Sequence, residues 1–243
     1  MLLALDTSTL TLSLALVDGV APLRVVEHLL IGPPRKQSEM LPAVIGELLD
    51  RHGVKLASLE GIVVGLGPGS FTGLRIGLSA AKALAYAARL PLAGGSSLAA
   101  VAQEGPPDVP LFCLAVVRAQ ELYVGRYRRT GSRVEALAPE DALTPAKLAE
   151  AMQKEPEAIA LGPAVPEYRA QLEGLGVPAA RLLDVGTVPS AVALAQQVTL
   201  PKSFDAQALF ALEPHYVRGS GAERNPRFPA PAGWSATARL KED

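Results

Sequence analysis

The stretch Gly61-Ile62-Val63-Val64-Gly65-Leu66-Gly67-Pro68-Gly69-Ser70-Phe71-Thr72-Gly73-Leu74-Arg75-Ile76-Gly77 decides how this chain folds. Its apolar start, 61–64, reads as a buried strand. Gly65, Gly67 and Gly69 with Pro68 then make a tight turn. Glycine tolerates positive φ and the close approach of another backbone, and proline ends a strand. Ser70 suits a helix N-cap, where its hydroxyl accepts a hydrogen bond from a free amide one turn on. The helix it opens runs to about Arg89 and carries Gly73, Gly77, Ala81 and Ala85 at i, i+4 spacing, on one side of the cylinder. A stripe without large side chains means that something packs very close. The sequence offers two neighbours, the chain's own sheet and a second protein chain.

Upstream of this turn, 2–5 is apolar and Asp6-Thr7-Ser8-Thr9 turns the chain. Leu10, Leu12, Leu14 and Leu16 alternate with small or polar residues, the pattern of a half-buried strand. Asp18-Gly19 signals a hairpin, and 23–30 supplies a third strand that Pro33-Pro34 breaks. Ser38 opens an amphipathic helix whose apolar face is Met40, Leu41, Val44, Ile45, Leu48 and Leu49 and which ends near His52-Gly53. Downstream, 91–93 is a short strand and Ser96-Ser97 caps another helix. The order is β-β-β-α-β-α-β-α, an α/β lobe.

Gly105-Pro106-Pro107-Asp108 divides the chain into lobes at 1–105 and 106–218. In the second lobe, 111–117 is an almost wholly apolar strand, 121–128 its hairpin partner and 134–137 a weaker third strand. Thr144-Pro145 starts a helix with proline at its first position. A strand at 158–161, a helix at 167–175, a short strand at 181–183 and a helix at 190–200 follow, so the second lobe loosely repeats the first. From Gly219 to Asp243 the chain is rich in Gly, Pro, Ala and Arg with little periodicity and reads as a mobile tail; Trp234 stands out in it.

Composition narrows the function. Of 243 residues, 49% are apolar and 19% charged, and the net charge is −1. There is no positive field for independent nucleic-acid binding. The single cysteine, Cys113, allows no internal disulfide, which suits a reducing cytosol. The N-terminus has no basic segment and meets Asp6 at once, unlike a signal peptide. No apolar run reaches the about 18 residues of a membrane span. A soluble, cytoplasmic protein is expected.

Several chemistries fail on spacing. The glycine turn looks like a phosphate cradle, yet the P-loop pattern needs Gly-Lys-Ser/Thr, and Gly73 is followed by Leu74. The dinucleotide pattern G-x-G-x-x-G does not match glycines at 65, 67, 69 and 73. Ser70 lacks the G-x-S-x-G elbow of hydrolases. His28, His52 and His215 stand far apart with no paired ligand motif, so no zinc site is expected. Cys113 lies in an apolar strand and reads as a core thiol. Asp6, where a first strand ends, either positions a metal-nucleotide or starts an Asx turn.

Three motifs together, Asp6-Thr7-Ser8-Thr9, the run from Gly67 to Gly77 and Pro214-His215-Tyr216-Val217-Arg218, resemble the TsaB (YeaZ) family. Ala81-Lys82-Ala83-Leu84-Ala85 and Ser96-Ser97-Leu98 continue the likeness, which spans roughly 1–218. The resemblance implies the two-lobe fold shared by actin, the Hsp70 chaperones and sugar kinases. It implies a part in making N6-threonylcarbamoyladenosine in tRNA from threonylcarbamoyl-adenylate supplied by TsaC. In that family the role is a non-catalytic partner that binds the catalytic paralogue TsaD, with the ATPase TsaE joining the pair and tRNA met only through the complex.

The family often has aspartate where Val116 stands, glycine where Gln120 stands and histidine where Gln37 stands. These departures speak against ATP-metal binding, so no cofactor and no metal are expected; Asp6, Thr7 and Ser8 are then a vestigial nucleotide site. Pairing is expected through the two helices of the first lobe, with Met40, Leu41, Val44 and Leu48 on one and Gly73, Leu74, Gly77, Leu78, Ala81 and Ala85 on the other. The same surface would make a homodimer when TsaD is absent. Two other readings stay open: a stand-alone ATPase or kinase of this fold, and a metalloprotease, the older label of the wider glycoprotease family.

Overall fold

Leu2–Asp6 (β1) is buried at every position. A strand with no wet face belongs at the centre of a sheet covered on both sides. The computed structural model describes residues 1–19, 23–33, 37–118 and 120–217. The tail 219–243 with Trp234 lies outside them, and the side chains of Gln37 and Ser38, the expected helix cap, are not described either.

In the first lobe β1 pairs antiparallel with β2 (Leu12–Asp18), which pairs with β3 (Arg24–Ile31), and parallel with β4 (Gly61–Gly65), followed by β5 (Leu92–Gly95). The sheet order is β3-β2-β1-β4-β5. Helices α1 (Gln37–Arg51), α2 (Phe71–Ala88) and α3 (Ser97–Ala102) connect it. The second lobe has β6 (Pro110–Arg118), β7 (Glu121–Thr130), β8 (Arg133–Leu143), α4 (Pro145–Lys154), β9 (Ile159–Leu161), α5 (Val165–Gly174), β10 (Leu182–Leu183) and α6 (Ala191–Gln197). Its order, β8-β7-β6-β9-β10, is that of the first sheet. The loose repeat read from the sequence is thus a structural repeat, and the architecture is the α/β two-lobe, actin-like one.

The two faces of the first sheet differ in kind. Leu3, Leu5, Leu12, Leu14, Leu16, Ile62 and Val64 join α1 and α2 in one apolar cluster. Leu2, Ala4, Ala15, Val17 and Val63 point the other way and pack on α6, which answers with Ala191, Ala193, Leu194 and Ala195. Alanine on both sides lets that helix lie close. This corrects one expectation: β2 is buried on both faces rather than half-buried, because α6 covers its Ser13–Ala15 side, while Leu10 lies outside the strand and is exposed.

By sequence α6 belongs to the second lobe. Its counterpart α3 belongs to the first, yet packs on the second sheet, with Leu98, Val101 and Ala102 against Leu111, Cys113, Tyr127 and Leu161. The two helices also touch each other. The layers therefore run α1/α2, first sheet, the exchanged helices, second sheet, α4/α5. The break at 105/106 separates the sheets but not the packing.

Each exchanged helix is tied at its start. Ser190 caps α6, and the Ala191 N–H donates to Ser13 Oγ of β2 at 2.8 Å, with His28 Nε2 of β3 at 2.9 Å from the same hydroxyl. Ser96 caps α3 and bonds with Tyr127 and Glu140 of the second lobe. Two further differences are local. β8 is longer than the expected 134–137, and a helix α7 (Ala206–Ala211), capped by Asp205, packs Leu209 into the first-lobe core.

Candidate functional site

The carboxyl ends of β1 and β4 bring Asp6 to Gly65. Asp6 Oδ1 accepts from the Ser8 N–H at 2.8 Å and the Ser8 hydroxyl at 2.5 Å. Oδ2 accepts from the Ser97 hydroxyl at 2.6 Å, and Ser97 Oγ in turn accepts from the Gly67 N–H at 3.2 Å. Asp6, Thr7 and Ser8 are 1%, 0% and 4% exposed. Burial pushes the Asp6 carboxyl above the usual carboxylate range, and the bonds from Ser8 and Ser97 pull it only part of the way back. A Cβ at Gly65 would stand 2.0 Å from Asp6 Oδ2. This is the Asx turn, cross-braced to α3, and these three residues present no exposed group to a nucleotide.

The same turn fills the glycine stripe. A Cβ at Gly69 would lie 2.4 Å from the Ser8 carbonyl oxygen, one at Gly73 2.1 Å from that of Thr7, and one at Gly77 2.2 Å from Thr7 Oγ1. Thr7 Oγ1 donates to the Gly73 carbonyl at 2.8 Å, and the Ser70 N–H donates to that of Ser8 at 2.7 Å. Ser70 caps α2 as expected, its Oγ accepting from the Gly73 N–H. Gly67 has φ +93° and the Gly67–Pro68 peptide is cis.

The close neighbour of the stripe is therefore the chain itself. Gly73, Leu74, Gly77, Leu78, Ala81 and Ala85 are buried within it, as are Leu41, Val44 and Leu48 of α1; Met40 is half-buried. The apolar periodicity marked the face that covers the sheet. The outward faces are different: Pro42, Ala43, Glu47 and Asp50 on α1, and Phe71, Thr72, Arg75, Ser79, Ala83 and Ala87 on α2. A second row of small residues at 72, 79, 83 and 87 was present in the sequence and marks this outer face.

Residues 214–217 of the C-terminal motif lie across both lobes, and Arg218 is outside the described residues. The His215 N–H donates to the Leu66 carbonyl, just after β4, at 2.8 Å. Its Nδ1 is 2.9 Å from Glu140 Oε2 on β8, at ion-pair distance but out of line for a hydrogen bond. Glu140 Oε1 accepts from the Ser96 and Tyr127 hydroxyls. Burial and the Glu140 charge push the Tyr127 hydroxyl far up. Tyr216 packs on Phe71 with ring centres 5.4 Å apart and accepts from Arg75 Nε at 3.2 Å, while the Arg75 guanidinium lies 4.0 Å over the Phe71 ring. Beside this junction an open cleft of about 460 Å³ is lined by Gly94, Gly95, Ser96, Tyr127, Ala136 and Gln197.

Among the described residues the second lobe offers no acid to match Asp6. Gly162 follows β9 as Gly65 follows β4, but its neighbour on β6 is Leu114, whose carbonyl would be 2.7 Å from a Cβ there. Val116 is half-buried on β6, and Gln120 sits at φ +67°, where glycine is at ease. Among the described residues no three His, Cys, Asp or Glu side chains converge to hold a metal, and no helix is long and apolar enough to cross a membrane.

The family model described as "TsaD: tRNA N6-adenosine threonylcarbamoyltransferase" matches residues 33–241. This chain belongs to the TsaD/TsaB (YeaZ) family. Members similar to it include the tRNA threonylcarbamoyladenosine biosynthesis protein TsaB of Escherichia coli, 39% identical over 103 residues, 42% of this chain and 42% of that protein. The TsaB of Bacillus subtilis is 33% identical over 142 residues, 57% of this chain and 60% of that one. The tRNA N6-adenosine threonylcarbamoyltransferase of Trichlorobacter lovleyi is 39% identical over 111 residues, 42% of this chain and 32% of that one. The match thus spans between 32% and 60% of these relatives' own length. Among solved structures, YeaZ from Pseudomonas aeruginosa superposes with TM-score 0.63 at 28% identity, covering 80% of this chain and 88% of that one. A structure described as an uncharacterized protein with similarity to peptidase YEAZ, also from Pseudomonas aeruginosa, gives TM-score 0.70 at 27% identity and covers 89% and 99%.

Proposed function

We propose that this chain serves the synthesis of N6-threonylcarbamoyladenosine in tRNA as a non-catalytic subunit that binds and supports a TsaD chain through the outer faces of α1 and α2. Family membership supports the pathway, since the named relatives act in threonylcarbamoyladenosine biosynthesis or transfer. The observation that carries the non-catalytic part is the closed Asp6 turn, with both carboxylate oxygens bonded inside the chain and, among the described residues, no acid opposite in the second lobe. The outer row Thr72, Ser79, Ala83 and Ala87 is flat enough for another helix pair to approach. A stable interface of this kind buries roughly 800 Å² per partner. The same face serves a homodimer when TsaD is absent, and TsaE and tRNA are met in the assembled complex.

A stand-alone ATPase or kinase remains the competing reading, since a carboxylate does end β1 of a sugar-kinase-like lobe. The deciding experiment supplies threonylcarbamoyl-adenylate and tRNA to the purified chain, to TsaD with TsaE, and to all three together. The proposal predicts no modification by the chain alone and a marked gain when it joins TsaD and TsaE. Modification by the chain alone, or a TsaD rate indifferent to it, overturns the proposal.

A further inference from the structure

Two kinds of contact join the lobes. The exchanged helices α3 and α6 do it with buried apolar side chains and with the hydrogen bonds at their starts. The segment 212–217 does it without a single buried residue. It is anchored upstream by α7, where Leu209 is buried in the first-lobe core and Lys82 Nζ donates to the Phe210 carbonyl at 2.9 Å. It then runs outward, bonds the Leu66 carbonyl through the His215 N–H and sets the His215 ring against Glu140 of the second lobe.

We propose that residues 212–217 are a releasable strap between the lobes, with His215 as its lock on Glu140. The Glu140 side chain is 7% exposed, while that of His215 is 49% exposed. One carboxylate oxygen is occupied by Ser96 and Tyr127, and the other is buried without an aligned donor, with the His215 ring beside it. Among the described residues the other titratable groups that face Glu140 are the Tyr127 hydroxyl on β7 and the Cys113 thiol on β6, both uncharged. The lock is thus a half-exposed imidazole on a buried carboxylate. An unpaired buried carboxylate is costly, so its loss favours an opening that lets water reach Glu140. A segment held by a few partly exposed contacts opens locally at far lower free energy than a core element. What opens is the junction where β5, the α3 start and β8 meet, beside the interlobe cleft. This inference does not depend on the function proposed above.

Hydrogen exchange on the full chain tests it. In His215→Gln the peptides covering 212–217 and 93–99 exchange about ten-fold faster, while those in β1 and β9 keep their rate. Glu140→Gln, which keeps an oxygen for Ser96 and Tyr127, gives the same pattern, and the double variant adds nothing to either. Three results overturn the strap: unchanged exchange at 212–217 and 93–99, effects that add in the double variant, or acceleration that extends equally to β1 and β9.

Discussion

Gly73 and Gly46 both lie in first-lobe helices, and the structure gives them opposite fates. A Cβ at Gly73 runs into the Thr7 carbonyl, a backbone atom that cannot swing aside, whereas one at Gly46 meets nothing within 4 Å. Gly73→Ala is therefore expected to cost about 2 kcal/mol or more as an overpacked site. Gly46→Ala should gain roughly 0.5–1 kcal/mol by restricting the unfolded chain and favouring the helix. Urea unfolding of both variants checks this, and equal effects would contradict it. Asp6 gives a pH prediction. Its folded carboxyl holds its proton more tightly than the unfolded one. The folded state thus binds more protons between the two pKa values, and stability falls as pH rises through that interval, upward from the ordinary carboxylate value. Asp6→Asn should remove this slope and leave the protein no less stable at neutral pH; a slope that persists in the variant contradicts it. At this scale the cap Ser70 and the need for close packing at Gly73 were legible in the sequence. That the packed neighbour is Thr7 was not, because the contact joins positions 66 residues apart.

Elements were legible in proportion to their length and period. The α1 and α2 patterns, over 15 and 18 residues, gave the helices within about a turn of their ends. α7, with six residues, is too short for a period to show, and β8 alternates too weakly to reveal its full extent. What no local pattern carries is where a short helix goes. α3 and α6 read as ordinary members of their own lobes, and only the fold exchanges them. Ala4 and Ala15 opposite Ala193 and Ala195 are the trace this leaves in the sequence, small residues where a half-wet strand needs none. Leu194, 1% exposed on seven-residue α6, should therefore be a core position for the first lobe as well as the second. Leu194→Ala is expected to cost about 2–5 kcal/mol. Chemical unfolding followed by exchange in β1 and in β6 should show both sheets losing protection together. Loss confined to the second lobe contradicts the exchange.

The whole molecule joins two copies of one sheet plan through exchanged helices, with the Asp6–Ser8 turn drawn tight against Gly65, Gly69, Gly73 and Gly77. Read from the sequence, the partner face and the core face of α2 were one stripe. The structure separates them, because a helix whose small residues take in the Thr7–Ser8 turn has those residues committed, leaving the row at 72, 79, 83 and 87 for anything outside. On the function proposed above, this outer row, and not a reaction centre, is what the chain contributes. Ala83 is exposed in mid-helix, so Ala83→Arg should leave stability within about 0.5 kcal/mol. Titration calorimetry of the purified chain against TsaD decides it. The wild type is expected to bind saturably and Ala83→Arg to bind about a hundred-fold or more weaker, with an unchanged melting temperature, since a bulky charge set into a closely packed seam finds neither room nor a partner. Wild-type affinity in Ala83→Arg would contradict it.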